Sequence, residues 1–397
     1  MVADAKKIFA GQTPWDAALA LALVVSLLFS QISISVEQLF LAAGLVAWVV
    51  LLVTKRRRFV VPSFFWPLLV YAGLSLVSSA RSVNPAMSFK NCRNLLLLLV
   101  VPMAVAAFKR AVDIDLAYGA ILASGFANAV YAIGYSLLKA SPGERVRGFM
   151  GHYMTQGGLL SLFGAVALGY VVFGRGKRRL FWAAGLILAS YALVLTLTRS
   201  GWIGLGVALC VILLIWRPKS LLVIPVLAGL ALVVSPRPVR DRALSIISLR
   251  DPANQYRLEY ARAGLRIIAD YPLFGTGPDT VDMVFQNPKY GLSEIAKRNV
   301  HLHSDVMQIG AERGLLGLAA WLAFVVMAVI ALIRRVTDET PGRQAPSAGA
   351  LAALAAVFVA GLFEYNFGDS EIATLLLFVI TLPFNRGQVS DLTPASK

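Results

Sequence analysis

Two of the chain's three histidines, His301 and His303, fall in one short stretch, RNVHLHSDVMQIGAERG (298–314), just ahead of a long apolar run. Imidazole exchanges a proton near neutral pH, so a histidine at such an edge is a candidate acid or base. The other polar residues set close to apolar runs are cationic. Arg145 and Arg147 lie in GERVRGFMGHYMTQGG (143–158), Arg199 in the tight turn TLTRSGW (196–202), and Arg257, Arg262 and Arg266 between Asn254 and Asp270. Guanidinium forks stay charged and match phosphate oxygens in pairs. Several arginines with one imidazole therefore point to a large anionic lipid headgroup, such as a pyrophosphate. Plainer roles stand beside this one. Arg262 and Arg266 share a helix face with Glu259 and suit a salt-bridged, solvated surface, whereas Arg257 lies off that face. Arg199 can snorkel to lipid phosphates, and Arg145 and Arg147 can simply face headgroups. His152 is the weaker histidine candidate.

The His-x-His spacing raises the question of a metal. Two apart on a helix, the rings point in nearly opposite directions; an extended segment would let them converge. Zinc needs three or four ligands, and the nearby carboxylates, without cysteines, make a weak set. The expectation is one working imidazole, with a neighbour that packs or hydrogen-bonds, and no metal or other cofactor.

Composition decides what positions these groups. The chain of 397 residues is 58% hydrophobic and 15% charged, against roughly 45–50% and about 25% for soluble domains. Its apolar residues fall into long runs bounded by charges, Pro or Gly, and a bilayer core takes about 20 helical residues to cross. The net charge of +16 sits largely in short clusters between these runs, such as Lys55-Arg56-Arg57-Arg58 and Arg175 to Arg179. That is the positive-inside pattern of cytoplasmic loops rather than a nucleic-acid footprint. Cys92 and Cys210 offer neither a disulfide framework nor metal-binding spacing. The first fifteen residues lack the pattern of a cleaved signal peptide, so the first span is expected to target the chain.

Twelve spans are expected, near 15–34, 36–54, 61–80, 93–108, 115–138, 156–173, 180–198, 200–216, 219–235, 314–334, 346–365 and 370–384. The excess of Lys and Arg on one set of short loops puts both termini in the cytoplasm. Trp15, Trp66 and Trp182 lie near span ends, as interfacial anchors do. The chain then divides into nine spans over 1–235, a periplasmic loop or domain over 236–313, and three spans with a cytoplasmic tail over 314–397. Within the loop, Asn254 to Asp270 reads as an amphipathic helix, with Tyr256, Tyr260, Ile267 and Tyr271 at helical spacing. Pro272 stops it, PLFGTGP (272–278) is turn-rich, and a short helix follows around 278–285.

These motifs together resemble the O-antigen ligase and O-antigen polymerase superfamily. HSDVMQIGAERGLLG (303–317) is similar to its signature, in which a His begins a helix running through Glu-x-Gly-x-x-Gly into the next span; His303, Ser304, Asp305, Glu312, Gly314 and Gly317 fill the pattern. YRLEYARAGLRIIADYPLFGTGPDT (256–280) resembles its Arg-bearing helix followed by Pro-Leu-Phe-Gly-x-Gly. TLTRSGW resembles its Thr-x-Ser-Arg-x-x-Trp turn, with Thr198 in place of Ser. RVRGFMGH resembles its Arg-x-x-Gly segment, with His152 near where Asn-Pro-Asn often follows; that departure leaves Arg145 and Arg147 both open. The resemblance implies an all-α integral membrane glycosyltransferase of GT-C-like fold in the bacterial inner membrane, its active site facing the periplasm. The donor would be a glycan on undecaprenyl pyrophosphate. A ligase moves it to lipid A-core, a polymerase to another repeat unit.

On that reading His303 is the general base that takes the proton of the acceptor hydroxyl, and Arg199 and Arg257 stabilise the leaving pyrophosphate. Arg145 or Arg147 assists, and Arg262 is a further candidate. His301 and Asp305 support the site, Asp305 or Ser304 orienting His303 or capping the helix. Glu312, half a helical turn from His303, supports the fold, pairing with Arg313 or a loop amide. A single displacement predicts inversion without a metal. The rival from another class is a lipid-glycan flippase or transporter. Against it stand the lack of an internal repeat and the collection of ionisable groups at one face.

Overall fold

The computed structural model describes residues 13–139, 144–340 and 343–385. Residues 1–12, read above for a signal peptide, and the tail from 386 lie outside the described residues. So does Gly143 at the head of the Arg145 segment. Among the described residues every regular element is helical; besides short 3-10 turns at Pro218–Leu222, Pro288–Tyr290, Ala296–Arg298 and Asn366–Gly368 there are seventeen further elements. In chain order these are α1 (Pro14–Phe29), α2 (Ile34–Val53), α3 (Phe65–Ala80), α4 (Pro85–Asn91), a 3-10 stretch (Cys92–Leu99), α5 (Val100–Ala107), α6 (Ala111–Leu138), α7 (Tyr153–Phe173), α8 (Arg178–Leu195), α9 (Arg199–Trp216), α10 (Val223–Val234), α11 (Arg237–Leu244), α12 (Pro252–Asp270), α13 (Val281–Phe285), α14 (Asp305–Asp338), α15 (Ala345–Gly361) and α16 (Ser370–Asn385).

Seven helices are long and apolar enough to cross a bilayer: Ile34–Val53, Pro85–Ala107, Ala111–Leu138, Tyr153–Phe173, Arg178–Leu195, Arg199–Trp216 and Asp305–Asp338. Five shorter apolar helices, Pro14–Phe29, Phe65–Ala80, Pro218–Val234, Ala345–Gly361 and Ser370–Asn385, fall where the remaining spans were expected. Twelve crossings require all five of these to span as well. The expected span at 93–108 begins earlier, at Pro85, and runs as 3-10 helix through Cys92–Leu99. Pro102 carries no N–H for the Leu98 carbonyl, which disfavours regular α-helix there.

Small residues set the centre. The Ala-rich α15 packs against α7 and α9. A Cβ at Gly169 would lie 2.6 Å from the Ala345 carbonyl oxygen, and one at Gly204 would lie 3.0 Å from that of Ala356. Between apolar helices in lipid, such small residues allow the backbones to approach. Trp182 departs from its expected role. Rather than anchoring at an interface it is buried, stacked on Tyr170 at 4.5 Å between ring centroids. Trp15 and Trp66 are exposed.

α14 is broken where its glycine motif falls. At Gly314 the backbone turns to φ 69° and ψ −177°. The turn after α12 supplies the hydrogen bonds lost at the break. Leu315 donates to the Pro272 carbonyl at 2.7 Å, while Thr276 and Gly277 donate to the carbonyls of Ala311 and Glu312, both at 2.9 Å. A Cβ at Gly314 would sit 2.3 Å from the Leu273 carbonyl, and one at Gly275 would sit 2.2 Å from that of Glu312. The glycines of PLFGTGP and of the Glu-Arg-Gly segment are thus halves of one backbone junction. Glu312 locks it. Its carboxylate accepts from Gln308 Nε2 at 2.7 Å, from Asp279 N at 2.9 Å and from Arg313 Nη1 at 2.7 Å. Gly314→Ala is expected to destabilise the protein by at least about 1–3 kcal/mol from the backbone alone, with the clash added, read as a lower melting temperature in detergent.

Residues 236–313 carry a small core of their own, in which Tyr260, Ala263 and Ile267 of α12 meet Val281, Phe285, Tyr290 and Leu302. Tyr256 and Tyr271 pack against its edge.

Candidate active site

His303 follows Leu302, which is buried in this small core, and immediately precedes the N-cap of α14, Ser304, whose hydroxyl accepts from Met307 N. Its backbone is left-handed, φ 49°, a conformation that non-glycine residues adopt at a cost and that clusters at functional sites. His301 and His303 therefore lie on irregular backbone and their rings converge, 4.5 Å apart at the centroids. Both meet one carboxylate. His303 Nδ1 is 2.8 Å from Glu364 Oε1, and His301 Nε2 is 3.5 Å from the same oxygen. Glu364 lies in the turn after α15 and is 5% exposed. Burial alone would raise this carboxyl, but the hydrogen bonds and charges of the two imidazoles outweigh it and hold it well below the usual carboxylate range. An ionised carboxylate only accepts, so it takes Nδ1–H of His303, and in the neutral imidazole that tautomer keeps its lone pair at Nε2.

Around this dyad lie arginines. Arg257, on α12, donates through Nε to the carbonyl of Phe363, next to Glu364, at 3.1 Å. Burial, with the charges of Arg199 and Arg242, lowers the Arg257 pKa despite Glu364. Arg199 opens α9 and is 4% exposed. Its Nη1 donates to the Ser245 carbonyl and hydroxyl, both at 2.9 Å, and faces Asp251 Oδ1 at 3.1 Å. Its Nη2 is buried without a partner among the described residues. Arg145 donates through Nε to the Thr196 carbonyl at 3.0 Å and through Nη2 to the Thr198 hydroxyl at 3.1 Å. Its guanidinium lies 3.4 Å from the Tyr153 ring centre, and burial pushes its pKa down to about 10. Arg242, on α11, donates to the Leu197 carbonyl at 3.2 Å. The carboxylates acting on these four guanidinium groups are Glu364 and Asp251.

The TLTRSGW turn explains its own composition. Leu197 is left-handed, φ 51°, and Thr198 N donates to the Thr196 hydroxyl at 3.2 Å. Trp202 Nε1 ties back to the Leu193 carbonyl at 3.0 Å. The turn leaves carbonyls for Arg145 and Arg242 and sets Arg199 at the first position of α9.

The other sequence candidates fall elsewhere. Arg147 is exposed, and Arg262 projects from the outer face of α12; neither has an ion pair or hydrogen bond among the described residues. The expected salt-bridged face on α12 is absent there too. Glu259 accepts from Ser293 N and Oγ instead, and Arg266 donates to the Lys289 carbonyl. Asp305 does not orient His303; its Oδ1 accepts from Phe367 N at 2.9 Å, tying α14 to the turn after α15. That orienting contact comes from Glu364, which sequence reading missed along with Arg242. The available signal for Glu364 was an acidic residue at the end of an apolar run, in GLFEYNFGD (361–369). His152 stands at the N-cap position of α7 without a capping side-chain bond, its ring stacked on Tyr153, and burial lowers its pKa.

The ligand atoms of His301, His303 and Glu364 lie within 4.8 Å of one another, close enough for a divalent cation. The helical geometry that argued against a metal does not apply to this backbone. Here the same Oε1 already takes both imidazoles.

Fold and site together define an all-helical membrane protein with an imidazole–carboxylate dyad ringed by arginines. Residues 184–322 match the family described as O-antigen ligase, which supports placing the chain in the O-antigen ligase and polymerase superfamily. The matched span holds Arg199, Arg257 and His303 and ends before Glu364. An uncharacterized protein of Haemophilus influenzae is 26% identical over 194 residues, covering 44% of this chain and 48% of the relative. The chain thus spans about half the length of that relative.

Proposed function

We propose that the protein is an O-antigen ligase, transferring a glycan from undecaprenyl pyrophosphate to a sugar hydroxyl of lipid A-core at the periplasmic face of the bacterial inner membrane. The observation that carries it is the 2.8 Å contact between Glu364 and Nδ1 of His303 beside guanidinium groups that include an unspent donor, Nη2 of Arg199. His303 Nε2 removes the acceptor proton as that oxygen attacks the anomeric carbon. The carbon–oxygen bond to the lipid pyrophosphate breaks, and the departing oxygens gather charge opposite Arg199 and Arg257. Preorganised cations aimed at developing charge stabilise such a step. Arg145 and Arg242 hold the turn that positions Arg199. One displacement inverts the anomeric carbon, and arginine supplies the positive charge a metal would otherwise bring.

The test is transfer by purified protein from lipid-linked glycan to lipid A-core, read by gel and mass spectrometry with and without EDTA. A lipid A-core product at equal rates in both is expected. Longer lipid-linked glycan instead would make the protein a polymerase. Loss of activity in EDTA, restored by one divalent cation, would make His301, His303 and Glu364 a metal site. A retained anomeric configuration would overturn the single displacement.

A further inference from the structure

Beside the dyad lies a cavity of about 160 Å³. Its walls come from α3, from the 3-10 stretch and the residue before it, from the turn at Pro278–Asp279, from Val300 and His301, from the first turns of α14, from the turn after α15 and from α16. An apolar cavity of about 150 Å³ holds one benzene ring; a pyranose carries hydroxyls besides its ring, so at most one ring enters here and the next sugar stays outside. Part of the cavity's polar lining is unspent. The side chains of Asn91, Asn94 and Asp279 and the hydroxyl of Tyr365 have no protein partner among the described residues. Amides, a carboxylate and a phenol supply both donors and acceptors, as a ring of vicinal hydroxyls requires. At the inner end Gln308, Glu312 and Arg313 are consumed by one another and by the α12–α14 junction, which gives a fixed floor.

The backbone supports this independently. The 3-10 run through Cys92–Leu99 lies within an apolar segment long enough to span. Non-α backbone at membrane depth is tolerated where it lines a cavity, and a mid-span 3-10 stretch often marks a functional position.

The cavity also stands in a definite relation to the dyad. Phe363 takes Arg257 on its carbonyl, Glu364 holds the imidazoles, and Tyr365 lines the cavity. His301 lines it too, with its ring 4.5 Å from that of His303. None of Arg145, Arg199, Arg242 or Arg257 does. A donor's first sugar is joined directly to pyrophosphate and must lie against the arginines. In a single displacement the attacking oxygen approaches from the side opposite the leaving one. A ring site that reaches His301 without touching those four arginines suits the nucleophile.

We propose that this cavity seats the acceptor, taking one pyranose ring of a hydroxyl-rich glycan so that its free hydroxyl faces the His301–His303 pair. The assignment rests on the transferase reading above.

Asn94→Leu, Asn91→Leu and Tyr365→Phe are compared with the unaltered protein. Initial rates are measured against lipid A-core at saturating undecaprenyl-pyrophosphate glycan, and the reverse. Each variant's fold is checked by gel filtration and melting temperature; Tyr365→Phe is near-isosteric and keeps the test alive if another variant misfolds. Losing one or two hydrogen bonds is expected to raise the acceptor KM by about tenfold, with kcat little changed, as for lost uniform binding, and the donor KM unmoved. A raised donor KM would give the cavity to the donor's sugar and overturn the assignment. Folded variants with neither KM altered would show that no sugar sits there. If the unaltered protein transfers nothing to lipid A-core or to lipid-linked glycan, the transferase reading itself falls, and the acceptor assignment with it.

Discussion

His303→Ala is expected to lower kcat by about 10²–10⁴-fold, the usual worth of a positioned general base, while the KM for the lipid-linked donor stays close to that of the unaltered protein. The base makes its interaction as the proton moves, so its loss belongs to the chemical step. Glu364→Gln separates orientation from charge. The amide keeps the size of the side chain and can still accept from Nδ1, so the ring stays near its place. The anion that favours the protonated imidazole is gone. A nearby opposite charge stabilises the charged form, so the imidazolium that forms as the proton is taken loses its partner, and kcat falls while the donor KM holds. Full activity in His303→Ala, with protein of normal melting temperature, would remove the imidazole from the reaction. An unchanged kcat in Glu364→Gln would reduce the carboxylate to a packing role.

What the sequence made legible was local. The helix from 254 to 270 was readable because its aromatic and aliphatic residues recur at one face, and Pro252 and Asp270 now bound it. The class of protein was readable because repeated apolar runs of span length, each bounded by charge, match the thickness of a bilayer and exceed what a soluble core of this size can bury. The role of Glu312 as a fold lock was legible from its spacing to His303 and its neighbour Arg313. Glu364 was not legible as a partner of His303, because the pair is 61 residues apart and nothing short-range connects them. Asp305 looked the better candidate for the opposite reason. It is two residues from the histidine, but as the first residue of α14 it points its carboxylate at the turn after α15. Arg145 and Arg147, two residues apart, were equivalent in sequence, and packing alone separates them, one laid on the Tyr153 ring and the other exposed. The 3-10 stretch was hidden because a leucine run reads as a span whatever its local geometry.

Arg199→Ala is expected to lower transfer by about 10²–10³-fold, the scale for removing one preorganised donor from developing charge, and Arg199→Lys is expected to recover only a small part of it. The buried guanidinium serves two masters. Nη1 is committed to Ser245 and Asp251, which fastens α9 to the segment between α11 and α12. Nη2 has no partner among the described residues. An ammonium is a single point charge; it can satisfy Asp251 or a phosphate oxygen but cannot span both positions. Lysine should therefore restore the fold, read as melting temperature, without restoring the rate. That combination distinguishes a phosphate donor from a structural tie, since a merely structural arginine would have both recovered by lysine. Arg266→Ala removes an exposed guanidinium that reaches only the Lys289 carbonyl and is the control for general loss of positive charge. Binding of undecaprenyl pyrophosphate without glycan should weaken in both Arg199 variants and not in Arg266→Ala. Equal recovery of rate and stability in Arg199→Lys would place the pyrophosphate on Arg257 and its neighbours and leave Arg199 as the clasp between α9 and the extramembrane helices.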